Sequence, residues 1–164
     1  MTTATQTRPE HKTTVPSVVV ARELLNLANS EGLPLDPLKM MKLVYLCHGW
    51  SLAHRNDPLI EEEVEAWQYG PVIPELYHEI KQFRSSPVDT VSAPVVELQL
   101  EQKGLIKSVF DAYKRFSGIQ LSDLTHQPGT PWSQVWQRGR RNVTIPTAKI
   151  AEHFDQLKRE RTPV

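Results

Sequence analysis

Cysteine and histidine are the side chains best able to do chemistry in this sequence, and their spacing argues against it. The single cysteine, Cys47, is followed directly by His48. Neighbouring residues on a helix point about 100° apart, so this pair cannot hydrogen-bond as a nucleophile and its base must. The six histidines include no i,i+4 pair and no HExxH arrangement. We therefore predict no metal site, and we interpret Cys47 and His48 as core residues.

The remaining polar motifs give no stronger indication of catalysis. A carboxylate run at Glu61, Glu62 and Glu63 is typical of a solvated turn, and the seven glycines are too well separated to form a phosphate-binding loop. We predict no catalytic residue and no cofactor. An enzyme built around His126 or His48 stays as an alternative, which would need a pocket with converging polar groups.

The charge pattern disfavours a nucleic-acid partner. Lysine plus arginine and aspartate plus glutamate number 19 each, so the formal net charge is zero. Basic residues cluster at Arg138, Arg140 and Arg141 and again over residues 158–161. No aromatic residues alternate with these arginines as they do in single-strand binders. We interpret both clusters as solvated surface, with a DNA-binding repressor as the alternative.

Two segments place large aromatic residues beside a glycine or proline turn. One contains Trp67 and Tyr69 before Gly70-Pro71, and the other contains His126 before Pro131-Trp132. Such turns can hold an aromatic side chain at a rim, and Trp and Tyr are enriched among interface anchors. The alternative is that Trp67 and Trp132 pack in the core.

Length and composition predict one domain. The chain has 164 residues, of which 39% are hydrophobic and 23% charged, which suits a single core. We predict a disordered tail over residues 1–16, a helical domain over 17–157 and a charged tail over 158–164. The apolar run at residues 40–50 is interrupted by Lys42 and falls short of the roughly 20 residues of a membrane span. With no signal-like segment and a lone cysteine, we expect a cytoplasmic protein and no membrane partner.

The predicted fold is mainly α, arranged around one central helix. Asp36 and Pro37 are typical of a helix start, and the pattern continues to about Arg55. This helix is apolar nearly all round, so we expect it to be buried at the centre of the domain. A short β-hairpin is expected near residues 59–68, whereas residues 95–102 fit either a helix or a strand. Further helices are predicted from the spacing of apolar residues near Ser17, Ile73, Leu105, Leu121, Trp132 and Ile150.

Several ordered blocks resemble a known family. The blocks are Lys39–Tyr45 with Trp50–Leu52, Pro58-Leu59, Glu65–Val72 with Leu76-Tyr77, and Leu124–His126 with Pro131-Trp132. In this order and spacing they resemble the Panacea domain family, which includes SocA-like antitoxins and phage-associated GepA-like proteins. The resemblance covers about residues 17–155.

The resemblance implies a bacterial or phage protein that neutralises a toxin encoded beside it by direct protein contact, without a cofactor or catalytic residues. In the SocA-like branch, which this chain resembles most, it implies an adaptor that delivers the toxin to the protease ClpXP. A stoichiometric inhibitor without proteolysis is the alternative. A flexible tail at 1–16 or 159–164 would then engage the protease. We predict that the toxin-binding surface or its supporting frame comprises Trp67, Tyr69, Gly70, Pro71, His126, Pro131 and Trp132.

Overall fold

The computed structural model describes residues 14–140 and 142–161, and this part of the chain is mainly helical. The α-helices are α1 (Ser17–Ser30), α2 (Pro37–Arg55), α3 (Pro74–Ile80), α4 (Leu100–Tyr113), α5 (Gly118–Thr125), α6 (Pro131–Val135) and α7 (Thr147–Arg161). The strands are β1 (Val64–Trp67), β2 (Gly70–Val72) and β3 (Val143–Ile145), and a 3-10 turn (Lys81–Phe83) follows α3. The predicted fold class is confirmed. None of the helices in the described ranges is long and apolar enough to cross a membrane.

The central helix begins and ends where local chemistry dictates. The Asp36 carboxylate accepts a hydrogen bond from the Lys39 backbone N–H at 2.8 Å, and Pro37 occupies the first helical position. Asn56, in a left-handed conformation, ends the helix. Every residue from Met40 to Ala53 is buried. The predicted central buried helix is therefore confirmed.

The last helix packs closely against α2 through an aromatic ring. A Cβ atom added at Gly49 would lie only 2.3 Å from the ring of Phe154, so glycine permits this approach. The Phe154 ring also meets Trp50 edge-on at 5.2 Å and Tyr45 at 5.9 Å between centroids. Such T-shaped pairs suit the quadrupoles of the rings. Gly49 thus sets the distance between α2 and α7.

The small sheet has the order β2-β1-β3 and is antiparallel throughout. The expected hairpin near residues 59–68 includes β1, but its partner strand follows β1 instead of preceding it. Trp67 pairs with Gly70, which leaves a two-residue turn between them. Ile60 instead forms an isolated parallel bridge with Val15. The third strand was not predicted, because three residues are too few to show alternation.

The ends of the domain extend beyond the predicted boundaries. Val15, which the sequence assigned to the N-terminal tail, is buried and exchanges backbone hydrogen bonds with Leu59 and Glu61. At the other end, residues 158–161 form the last turn of α7 instead of a separate tail. Lys158 Nζ donates to the Ala53 carbonyl at 3.3 Å, which holds that turn against α2. Residues 1–13 and 162–164 of the predicted tails lie outside the described residues.

Candidate partner-binding site

A buried lysine supports the β-hairpin from the central helix. Lys42 on α2 is only 1% exposed, and its Nζ donates a hydrogen bond of 2.8 Å to the Pro71 carbonyl on β2. Burial lowers the pKa of this amine to about 7, because the charged form loses its hydration. Gly70 has φ of +117°, and a Cβ there would lie 3.0 Å from Lys42 Nζ. Gly70 and Pro71 therefore both lie against the amine of Lys42, and both are buried.

The turn of the hairpin is tied to α5 and presents an exposed tyrosine. Ser122 Oγ donates a hydrogen bond of 2.6 Å to the carbonyl oxygen of Tyr69. The Tyr69 side chain is nevertheless 67% exposed. The Tyr69 backbone is therefore held in place while its ring faces solvent. Because the turn is already ordered, binding a partner here would cost little conformational entropy.

The two tryptophans of the predicted site differ in exposure. Trp132 on α6 is 8% exposed and its indole N–H donates to the Trp67 carbonyl on β1. Its ring also stacks on Trp136 at 5.0 Å and meets His126 edge-on at 5.2 Å. Trp132 therefore joins α6, the loop after α5 and β1. Trp67 itself is only half-buried.

A second tyrosine extends the aromatic surface beside Trp67. The rings of Trp67 and Tyr77 meet edge-on at 5.0 Å, and Tyr77 on α3 is 38% exposed. Trp67 Nε1 donates to the Glu65 carboxylate at 2.9 Å. We call Trp67, Tyr69 and Tyr77 the hairpin aromatic patch. Tyr77 was missed as a surface residue because the apolar spacing placed it on the buried stripe of its helix.

The structure brings the seven predicted residues into one region but gives them different environments. Only Tyr69 is well exposed, and Trp67 and His126 are half-buried. The other four are buried: Gly70, Pro71, Pro131 and Trp132. The sequence also missed Lys42 as a participant, although a charge inside an otherwise apolar helix was a signal that could have found it.

Cys47 and His48 lie in the core. Cys47 is fully buried, which raises the pKa of its thiol. His48 is also buried, and its Nδ1 accepts hydrogen bonds from the backbone N–H groups of Leu59 and Ile60 at 3.3 and 3.4 Å. Burial lowers the pKa of His48 to about 4. Their interpretation as core residues is confirmed.

Two other sequence expectations concern a metal site and the clustered arginines. No cluster of three His, Cys, Asp or Glu side chains there has a geometry that could hold a metal ion. Arg138 and Arg140 are exposed near a turn after α6, and Arg141 lies outside the described residues.

The chain is similar to known proteins in two comparisons. The chain is 28% identical over 134 residues to Antitoxin SocA of Caulobacter vibrioides (strain NA1000 / CB15N), covering 74% of this chain and 70% of that protein. No solved structure matches. The family described as "Antitoxin SocA-like, Panacea domain" matches residues 40–133, which include Lys42 and the hairpin aromatic patch. Because this match spans more than half of the chain, the chain belongs to the SocA-like antitoxin family with the Panacea domain.

Proposed function

We propose that this protein neutralises a cognate toxin by binding it directly through the hairpin aromatic patch, without catalysing a reaction. The observation that supports this surface most is the exposed Tyr69 ring on a turn whose backbone is anchored by Ser122. Tyr and Trp supply large contact areas, and a fixed backbone reduces the entropy lost on binding. Membership of the SocA-like antitoxin family favours a toxin as the partner.

In this proposal the seven residues divide between contact and support. Tyr69 and Trp67 contact the toxin, with His126 beside them. Trp132 holds the hairpin through its hydrogen bond to the Trp67 carbonyl. Pro131 is the first residue of α6 and positions Trp132. Gly70 and Pro71 lie against the Lys42 amine, which donates to the Pro71 carbonyl. The exposed side chains should therefore affect binding, and the buried ones should affect folding.

Paired binding and melting measurements test this division. Tyr69→Ala should weaken toxin binding by about 2 kcal/mol, or roughly thirtyfold in Kd, while leaving the melting temperature unchanged. Trp132→Ala should lose about 3 to 5 kcal/mol of stability. Leu100→Ala is the matched control, since Leu100 is 86% exposed at the start of α4. Unchanged toxin affinity in Tyr69→Ala would reject this surface.

We also propose that the protein acts as a proteolytic adaptor that delivers the bound toxin to ClpXP. The support is the family relationship with Antitoxin SocA, together with a folded body that could hold the toxin while another segment engages the protease. A reconstituted degradation assay should show faster toxin loss when this protein is added. Deleting residues 1–13 and 162–164 should slow degradation without changing toxin affinity. If the toxin stays intact in the presence of the full chain and active protease, the protein is a stoichiometric inhibitor.

A further inference from the structure

A cleft lies between α4 and α7 and has α2 as its floor. It contains a cavity of about 190 Å³ lined by Trp50 and His54 of α2, Leu105 and Val109 of α4, and Lys158 and Arg161 of α7, among others. A second cavity of about 290 Å³ shares Tyr113 and Arg161 with the first. The two cavities are therefore neighbours, and Glu160 of α7 lines the second one.

The floor of the first cavity is apolar and held in place. Trp50 and Val109 are nearly buried, at 5% and 4% exposure. The indole N–H of Trp50 donates a hydrogen bond of 3.0 Å to the Tyr113 hydroxyl. The indole also meets Phe154 edge-on at 5.2 Å and stacks with His54 at 5.3 Å. An apolar group entering the cavity would thus meet a surface that is already formed.

The rim of this cavity is cationic. Arg161 lies over the Trp50 ring at 5.2 Å, and Lys158, whose Nζ donates to the Ala53 carbonyl at 3.3 Å, lies one turn earlier on α7. Burial lowers the pKa of His54, and the nearby charge of Lys158 lowers it further. No Asp or Glu is among the described residues that line the first cavity. Asp111, on α4, forms ion pairs with Lys107 and Lys114.

We propose that this cavity binds a short acidic segment of a partner protein. One large apolar side chain of the segment would rest against Trp50, and a neighbouring carboxylate would lie between Lys158 and Arg161. The volume of about 190 Å³ suits a single side chain, and it is smaller than the roughly 300–1,000 Å³ of sites for drug-sized molecules.

The first cavity is lined by none of the seven predicted partner-binding residues, whereas Pro131 lines the second. Trp50 follows Lys42 by eight residues on α2, a distance of about 12 Å along the helix axis. A segment bound in the cleft would therefore leave the hairpin free for a second partner. In addition, α7 lies outside the residues 40–133 matched by the family. The inference does not depend on the proposed toxin surface, and it can be tested without a toxin.

Fluorescence anisotropy with a labelled peptide, Gly-Ser-Phe-Glu-Asp-Gly, and the full chain tests the proposal. Saturable binding is expected, and replacing Phe by Ser, or Glu-Asp by Gln-Asn, should weaken it by about tenfold. Equal binding of the three peptides, or no saturable binding up to about 1 mM, would overturn the proposal.

Variants locate the peptide. Arg161→Gln removes a rim cation, and Ala112→Trp fills the cavity; each should raise the peptide Kd by about tenfold. Arg159→Gln is the matched control, because Arg159 is exposed on the same helix and does not line the cavity. Equal affinity of Arg161→Gln and Arg159→Gln would contradict the site, and this comparison holds even if Ala112→Trp does not fold.

Two further observations separate this occupant from others. The NMR titration of the His54 ring should shift to higher pH when the peptide binds, because a carboxylate nearby stabilises the charged imidazole. An unchanged His54 titration would place the peptide elsewhere. A chain ending at Arg161 should bind the peptide as the full chain does. Binding seen only in that shortened chain would mean that residues 162–164 are the natural occupant, and would contradict the proposal.

Discussion

The stability of the protein should rise between pH 7 and pH 9 because of Lys42. This amine is buried, and its pKa is lowered from 10.5 to about 7 in the folded state. In the unfolded chain the same amine is hydrated and keeps its proton across this range. The unfolded state therefore binds more protons than the folded state, so the free energy of unfolding increases with pH.

The size of this effect follows from the two pKa values. With about 7 in the folded state and about 10.4 in the unfolded state, raising the pH from 7 to 9 adds about 2 kcal/mol to the free energy of unfolding. Well below pH 7 both states carry the proton and the dependence disappears. Cys47 acts in the opposite direction, since burial raises its pKa and the thiol ionises first in the unfolded chain.

Urea unfolding at several pH values, for the wild type and Lys42→Met, isolates the lysine. The Cys47 contribution is common to both proteins, so the stability difference between them should grow by about 2 kcal/mol from pH 7 to pH 9 in favour of the wild type. Lys103→Met, at an exposed position of α4, is the control and should follow the wild type. Parallel curves for the wild type and Lys42→Met would mean that Lys42 is hydrated or paired with an anion in the folded state, and so that burial does not lower its pKa.

Three other predictions concern the packing, the capping and a buried histidine of α2. Gly49→Ala should destabilise the fold by about 1 to 3 kcal/mol, because the new Cβ would lie 2.3 Å from the Phe154 ring. Gly104→Ala, which meets nothing within 4 Å, should instead stabilise it by about 0.5 to 1 kcal/mol; urea unfolding of both variants checks the contrast. Asp36→Ala should lower stability by about 1 kcal/mol in thermal melts and Asp36→Asn by less, since asparagine can still cap the helix. Because burial lowers the pKa of His48 to about 4, the free energy of unfolding should fall by about 3 kcal/mol as the pH falls from 7 to 4. The fall should be smaller in His48→Gln, and an equal fall in both proteins would contradict this prediction.

The helices could be predicted because their signals are local. Asp36 and Pro37 mark the start of α2, and the apolar residues on nearly every face of this helix predict that it is buried. Its range and its central position therefore follow from the sequence. The sheet could not be predicted in the same way. Its strands have three or four residues, and the pairing of β1 with β3 joins segments about eighty residues apart.

The region of the candidate site could be predicted from the sequence, but not which of its residues are exposed and which are buried. The aromatic residues near turns did indicate Tyr69, whose exposure follows from its place in a two-residue turn. The burial of Trp132 depends on contacts with Trp67 and Trp136 that tertiary packing creates. In the sequence Lys42 only interrupts an apolar run. Its neighbours in the sequence give no sign that its amine donates to the Pro71 carbonyl.

Co-expression in cells shows whether this protein neutralises a toxin by direct contact. The protein is expressed with the product of its adjacent gene, with and without ClpXP, while growth, co-purification and toxin half-life are followed. We expect growth to be restored by the wild type and lost with Tyr69→Ala at equal protein levels. We also expect a shorter toxin half-life when ClpXP is present. If the wild-type protein neither restores growth nor co-purifies with that product, it does not neutralise that product by direct contact.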